Sequence, residues 1–300
     1  MEFEDAVRKH FPGTYEELLE MARIRSGSDV SIRDMGLEEP VRILEEIGGS
    51  GDAIPCMAAS LSGDSPLAMD FFGPFGEMPG YQLTREGLNH DYRRISNIFV
   101  ITDKDGVPSG IVPAENSPDH YLESCNRLRG MKCTLVTDRM QYSDRILHTL
   151  EKNVDDYLLV QPPFPISFSS TRNAKMQELN HNGRDLKACK IRYEKKWLFR
   201  FTDPIEAESV RSRLPLMDTD RNSIETMKLS AGSTDVISNV GHDIREVRRL
   251  LDIRERMDSE MRRHRRLLGN DADILTTDEA VIGYLLMSVI STRLSFTDSN

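Results

Sequence analysis

The sequence is poor in the residues that hold small extracellular domains and metal centres together. Its four cysteines are Cys56, Cys125, Cys133 and Cys189, and no two of them form a CxxC pair. Its seven histidines form no HxxxH or HxH pair either. Disulfide frameworks and structural zinc sites are therefore not expected, which is typical of proteins from a reducing cytoplasm.

Long hydrophobic runs are also missing. No run approaches the roughly 18 apolar residues that a membrane helix needs. The first eight residues are acidic, unlike the basic start of a signal peptide. We therefore expect a cytoplasmic protein with no membrane partner.

Positive charges are outnumbered over the whole chain, 39 Lys and Arg against 49 Asp and Glu, and many of them are concentrated in one segment. The formal net charge is −10, which argues mildly against a nucleic-acid-binding protein, because such domains are usually basic. Residues 245–266, however, contain nine arginines against five acids. Two explanations stay open for this segment: a solvated helix face, or a surface that contacts phosphates.

What the chain does contain is the length and apolar content of a large α/β core, with 300 residues of which 38% are hydrophobic. Residues 132–137 predict a buried strand, residues 144–153 a helix, and residues 157–160 a second strand. This order is typical of a βαβ unit with parallel strands. Asp138 would follow the first strand, at the edge where open α/β sheets place their sites. On these residues alone, a helix-entry cap is the commoner role for such an acid.

Two segments before this unit predict further strands. Residues 54–61 (IPCMAASL) are short and apolar enough for a buried strand, and the proline- and glycine-rich residues 64–82 predict a long loop. Residues 98–102 and 107–112 flank Asp105-Gly106, which is a strong β-hairpin signal.

The ends of the chain predict helices. Residues 1–50 form a helical amino-terminal region, residues 243–268 a long arginine-rich helix, and residues 278–294 an apolar helix that must be buried. Residues 163–241 predict an insertion containing a strand pair, separate from the sheet. The predicted core therefore comprises residues 51–162 and 242–300.

This order of elements is compatible with a ribonuclease H-like fold. We expect a mixed α/β sheet flanked by helices, with a β-containing insertion before the last catalytic helix. Enzymes on that fold hold two divalent metal ions that clamp the attacking and leaving oxygens of a phosphodiester. The carboxylates must come from the middle of the first strand, the end of the fourth strand and a late helix. Magnesium prefers oxygen ligands, so a site without cysteine or histidine fits.

Several segments, taken in order, resemble prokaryotic insertion-sequence transposases of the DDE type. The segment ITDKDGVP is similar to the family's D-x-DG-x-P hairpin, and GLNHDYRRISN before it is similar to GYNRD…LPQ. In VTDR, Asp138 matches the second catalytic Asp and Arg139 the Arg that follows it. The closing segment LTTDEAVIGY resembles the DE-x-x-x-GH helix, with Tyr284 where the family has His.

The late helix carries a further part of the resemblance. The family has a Y-(2)-R-(3)-E-(6)-K signature on one helix, and this chain has Leu251, Arg254, Asp258 and Arg265 at the same spacing. At 100° per residue these positions lie on one side of a helix. The neighbouring apolar positions would place Asp258 beside the buried stripe.

The resemblance implies a DNA transposase that cleaves phosphodiester bonds and transfers strands at insertion-sequence ends, with Mg²⁺ or Mn²⁺ as cofactor. It implies that Asp138 and Asp258 hold the metal and that Arg139, Arg254 and Arg265 contact DNA. The implied partner is double-stranded DNA, with a homodimer allowed. The implied location is the prokaryotic cytoplasm, on the nucleoid when DNA is bound.

The departures from the family pattern argue against catalysis. The family's first catalytic Asp lies in a D-x-T-S-L-S strand, and the segment that matches it here is residues 57–62, where Met57 replaces the acid. Asp70 is close in sequence but is not expected at the strand position. Weak or lost catalysis is therefore expected. Two hypotheses stay open: an active transposase, or a catalytically inactive DNA-binding protein derived from one.

Overall fold

The protein is described here from a computed structural model. The described residues are 2–72, 96–115, 127–137, 144–161, 174–214, 224, 227–228 and 230–298. The predicted site residues Asp138 and Arg139 lie outside them, as do residues 87–95 of the GLNHDYRRISN motif.

The described part of the chain begins with four helices, continues with strands interrupted by two helices, and ends with two helices. The helices are α1 (Phe3–His10), α2 (Tyr15–Gly27), α3 (Pro40–Gly48), α4 (Ala53–Ser62), α5 (Asp144–Asn153), α6 (Pro204–Arg213), α7 (Ile244–Asp271) and α8 (Asp278–Asp298). The strands are β1 (Leu67–Phe72), β2 (Ser96–Thr102), β3 (Pro108–Glu115), β4 (Thr134–Thr137), β5 (Asp156–Gln161), β6 (Gln177–His181), β7 (Arg184–Tyr193), β8 (Lys196–Thr202) and β9 (Ser233–Ser238). The fold is therefore mixed α/β, a sheet of nine strands flanked by helices.

The chain divides into two compact units. Unit 1 comprises Met1–Leu135, Asn153–Asp155 and Ile253–Asn300, and unit 2 comprises Val136–Lys152 and Asp156–Asp252. Strand β4 and helix α7 each contribute residues to both units.

In unit 1 the strands lie in the order β3-β2-β1-β4. The predicted hairpin is confirmed, since β2 and β3 pair antiparallel with Val100 opposite Ile111. The turn between them contains Gly106 at a φ of 81°, a left-handed conformation that favours glycine. Asp103 stabilises the same turn, because its Oδ1 accepts the backbone N–H groups of Asp105 and Val107, each at 2.9 Å.

The prediction for the first strand is wrong. Residues 54–61 are not a strand but most of helix α4, and Met57 is a fully buried side chain of that helix. The first strand is β1, which lies in the segment predicted to be a loop and contains Asp70. The physical reason is that an apolar run of about eight residues suits a buried helix as well as a buried strand. Three alanines in α4 favour the helix, and Pro55 is tolerated in its first turn.

Helix α8 is the centre of the helical part of unit 1. The predicted burial is confirmed, because nearly every residue from Ala280 to Thr292 is buried. Two glycines let it approach α3 closely: a Cβ on Gly283 would lie 2.1 Å from the carbonyl oxygen of Leu44, and one on Gly48 would lie 1.9 Å from that of Glu279. By length and apolar composition Asp278–Thr297 could cross a membrane, yet 67% of its most apolar window is buried within the protein, as in a core helix.

In unit 2 the predicted strand-helix-strand order is confirmed as β4, α5 and β5. From β4 the strands continue in the order β5-β9-β8-β7-β6. The expectation that residues 163–241 stand apart from the sheet is wrong, because β8 pairs with β9 and β9 pairs with β5, both antiparallel. The predicted strand pair within this segment is confirmed as β7 and β8.

Candidate active site

Asp70 is a carboxylate in the interior of unit 1. It lies in β1, opposite Phe99 of β2, and none of its surface is exposed. Its neighbours Ala68, Met69 and Phe71 are buried as well, so both faces of β1 are covered here. Burying a charged carboxylate costs several kcal/mol unless cations or hydrogen bonds offset it. A fully buried acid in a central strand is therefore a candidate for chemistry.

Helix α7 approaches β1 through Arg254. The guanidinium carbon of Arg254 lies 4.0 Å from the centroid of the Phe71 ring, the residue after Asp70. Arg254 is 7% exposed and Phe71 is 2% exposed. A cation over a buried aromatic face is worth more than one at the surface, because water competes less. This stacking is one contact that holds α7 against β1 at the level of Phe71.

Two further contacts hold the same turn of α7 against the β2–β3 hairpin. Arg256 donates from Nη2 to the carbonyl oxygen of Asp105 at 3.1 Å. Ile253 packs so closely on Gly106 that a Cβ on this glycine would lie 2.5 Å from the Cγ2 of Ile253. The hairpin glycine therefore has two roles, one in the turn and one in admitting α7.

Asp258 lies one helical turn after Arg254 on α7. As predicted, it borders the buried stripe, since Met257 and Met261 are 0% and 2% exposed. The side chain of Asp258 is 36% exposed and accepts a salt bridge from Arg262 at 3.0 Å. The Asp258 carboxylate is therefore accessible to a ligand that takes the place of Arg262.

The other members of the helix signature separate into buried and exposed positions. Leu251 is 3% exposed and packs in the core, whereas Arg265 is exposed. Tyr284 of α8, which stands where the resembled family has His, is fully buried, and its hydroxyl accepts from Nη1 of Arg25 at 2.7 Å. Burial raises the pKa of Tyr284 to about 12, so it stays protonated.

Two buried side chains of unit 1, Cys133 and His264, are poor metal ligands. Burial raises the pKa of the Cys133 thiol to about 12, so it is not an available thiolate. Burial lowers the pKa of His264 to about 3, and its Nε2 is engaged with the Thr292 hydroxyl at 2.8 Å. Among the described residues, no three His, Cys, Asp or Glu side chains form a group that could hold a metal ion. Asp138 follows Thr137, the last residue of β4, and lies outside that set.

Asp70 is the residue that sequence reasoning missed. A signal for it exists: the segment LAMDFF is a six-residue apolar run between Pro66 and Gly73, interrupted by a single acid. A charged residue inside a short apolar run makes the run look less like a buried strand, and it also marks the charged position as a candidate for function.

Comparison with solved structures gives a distant structural likeness. No family model matches the chain, and no curated protein does. Among solved structures, the chain is similar to a piggyBac transposase determined by cryo-electron microscopy as a synaptic complex with hairpin DNA. The identity is 12% and the TM-score is 0.41. The match covers 86% of this chain and 50% of that one, so the chain spans half the length of that transposase.

Proposed function

We propose that the protein is a DDE-type DNA transposase on a ribonuclease H-like core, which cleaves and joins phosphodiester bonds with Mg²⁺ or Mn²⁺. Its three carboxylates are Asp70 in β1, Asp138 after β4 and Asp258 on α7. The substrate is double-stranded DNA carrying the ends of an insertion sequence.

The observation that carries the proposal is the position of Asp70. Two-metal phosphodiester chemistry on this fold requires acids in the middle of the first strand, at the end of the fourth strand and on a late helix. Asp70 is the buried acid of β1, and the Arg254–Phe71 contact brings the acid-bearing helix α7 against the same strand. The expectation of lost catalysis rested on Met57 in the first strand, and that reason no longer applies because Met57 belongs to α4.

The donor set fits a hard divalent cation. Carboxylate oxygens are the ligands that Mg²⁺ prefers, and neither Cys133 nor His264 competes for the metal. Asp70, Asp138 and Asp258 would hold it, and when bound it would supply Lewis acidity at the scissile phosphate. Asp258 is one methylene shorter than glutamate, so its carboxylate depends closely on where α7 sits.

DNA contact is assigned to the exposed basic residues of α7. Arg265 is exposed on the same side of the helix as Asp258 and can contact a phosphate, and Arg139 follows Asp138. In a chain with a net charge of −10, phosphate binding would draw on such local cationic surfaces.

A nicking assay tests the function. The substrate is a supercoiled plasmid carrying the DNA that flanks the gene, incubated with the protein and Mg²⁺ or Mn²⁺. Wild-type protein is expected to nick and join strands. Asp70→Asn, Asp138→Asn and Asp258→Asn are each expected to reduce the rate by about 100-fold or more, because each removes charge stabilisation of the transition state.

The matched control is Asp64→Asn, an exposed acid six residues before Asp70, which should leave the rate unchanged. Undiminished nicking by Asp70→Asn would show that Asp70 is not a catalytic acid. Salt-dependent binding of the DNA by wild-type protein without any nicking would favour the alternative function, a catalytically inactive DNA-binding protein.

A further inference from the structure

We propose that Arg254 is a positioning residue that holds α7, which carries Asp258, against β1, which carries Asp70, rather than a residue that contacts DNA. This inference rests on the proposed function and concerns the two proposed metal ligands that lie in unit 1, Asp70 and Asp258. It reassigns the arginine of the helix signature from the nucleic acid to the protein interior.

Burial is the first reason. Arg254 is 7% exposed, and its guanidinium lies 4.0 Å from the Phe71 ring centroid. A phosphate contact would require it to leave that ring and open the space between α7 and β1. Arg265, eleven residues later, is exposed and can reach a phosphate without any rearrangement. The two arginines of the signature therefore have different surroundings and different roles.

The second reason is the position of Arg254 within the clamp on α7. Ile253 packs on Gly106, Arg256 bonds the carbonyl oxygen of Asp105, and Arg254 lies between them against β1. The first two contacts hold α7 to the hairpin, and only the third acts on the strand that carries Asp70. Asp258 lies about 6 Å further along the helix at 1.5 Å per residue. A shift of α7 therefore moves Asp258 relative to Asp70 directly.

The charge of Arg254 makes the test stricter. A buried positive charge near two carboxylates stabilises the metal-free site and repels a bound cation, so its loss alone would strengthen Mn²⁺ binding. Methionine has a similar length but neither the charge nor the flat face of arginine, so a weaker Mn²⁺ affinity in Arg254→Met can come only from lost positioning. Lysine keeps part of the attraction of a cation to the Phe71 ring.

The test separates metal binding from DNA binding. Mn²⁺ is titrated into the protein alone and followed by electron paramagnetic resonance, and DNA affinity is measured as a function of salt. Arg254→Met is expected to weaken Mn²⁺ binding by about 10-fold or more, the usual effect of losing a residue that orients metal ligands. The slope of log affinity against log salt should stay that of wild-type protein.

Phe71→Leu provides an independent variant, because it removes the stacking partner without changing α7 or any charge. It should weaken Mn²⁺ binding in the same direction, and Arg254→Lys should recover part of the loss. Arg265→Met is the matched control: it should reduce the salt slope by about one and leave Mn²⁺ binding unchanged.

Three results would overturn the assignment. A salt slope reduced by about one in Arg254→Met would show a phosphate contact. Wild-type Mn²⁺ affinity in folded Arg254→Met or Phe71→Leu would show a packing role alone. Wild-type protein that binds no Mn²⁺ and nicks no DNA would overturn the proposed function itself, and with it the role of Arg254.

Discussion

The helical layer of unit 1 and its central strand each bury a carboxylate completely, but they surround it differently. Asp271, at the end of α7, accepts hydrogen bonds from the Ser31 hydroxyl and from the backbone N–H of Ile32 at 3.1 Å. It also pairs with the buried Arg25 of α2, whose Nη2 lies 3.6 Å away. Asp70 instead lies in a strand of apolar neighbours, next to the ring on which Arg254 stacks.

The difference separates a structural acid from a candidate catalytic one. Asp271 joins the end of α7 to Arg25, Ser31 and Ile32, which are far away in sequence, so its charge is used for folding. Asp70 lies in β1 among buried apolar residues and is the acid that the proposed metal chemistry would use. Burial alone therefore does not identify an active-site acid.

The largest expected effect on stability concerns Asp271. Asp271→Ala should lower the free energy of unfolding by about 3–5 kcal/mol, because it leaves Arg25 as an uncompensated buried charge. Denaturant unfolding followed by circular dichroism measures it. The control is Asp273→Ala: Asp273 forms an exposed pair with Arg33, and its loss should cost less than about 1 kcal/mol. Equal effects of the two substitutions would contradict a structural role for Asp271.

The next effect concerns the contact between α3 and α8. Gly283→Ala would place a methyl group against the backbone of Leu44 and should cost about 1–3 kcal/mol. Gly269→Ala is the matched control, because Gly269 lies on the exposed side of α7 with no atom within 4 Å of an added Cβ. It should stabilise the protein by up to about 1 kcal/mol through helix propensity. Thermal unfolding of the two variants should shift in opposite directions.

A third effect depends on pH. Burial, together with Arg263 and Arg25, lowers the pKa of His264 from 6.5 to about 3. Between these values the unfolded chain takes up a proton that the folded protein does not, so stability is lost as pH falls below 6.5 and is retained above it. Titration of His264 alone changes the free energy of unfolding by up to about 1.4 kcal/mol per pH unit.

His264→Gln removes the titrating group, although it also alters the bond to Thr292. The comparison is therefore between the pH slopes of unfolding, not between the absolute stabilities. A variant whose stability falls between pH 6.5 and 4.5 as steeply as that of wild-type protein would show that His264 is not the source.

The smallest expected effect on stability concerns Asp70. Asp70→Asn should lower the free energy of unfolding less than Asp271→Asn does while it abolishes nicking, because the amide keeps the shape of the side chain and removes the charge that the proposed metal site needs. Asp271→Asn should destabilise the protein severalfold more in the same measurement. A loss at Asp70 as large as that at Asp271 would make Asp70 a structural acid as well.

Much of the fold could be predicted from residue patterns. The hairpin at Asp105-Gly106, the order β4, α5 and β5, and the two last helices follow from turn chemistry and hydrophobic spacing, which act over a few residues. The position of Asp258 beside the buried stripe of α7 follows from the same spacing.

The first strand could not be predicted in this way. The segment IPCMAASL forms α4 and LAMDFF forms β1, although the first run is the longer apolar one. Strand formation at β1 depends on hydrogen bonding to β2 and on packing of both faces, and these partners are distant in sequence. The same limit applied to residues 177–202, whose strands join the sheet through β9.

The sequence by itself therefore determined the local elements and the spacing of Arg254, Asp258 and Arg265 on one helix. Only the tertiary structure decided that Asp70, rather than Met57, lies in the first strand, and that Arg254 is buried against Phe71 while Arg265 is exposed. The physical reason is that periodicity fixes which face of an element a residue occupies. Which partner covers that face depends on contacts between residues that are far apart in the chain.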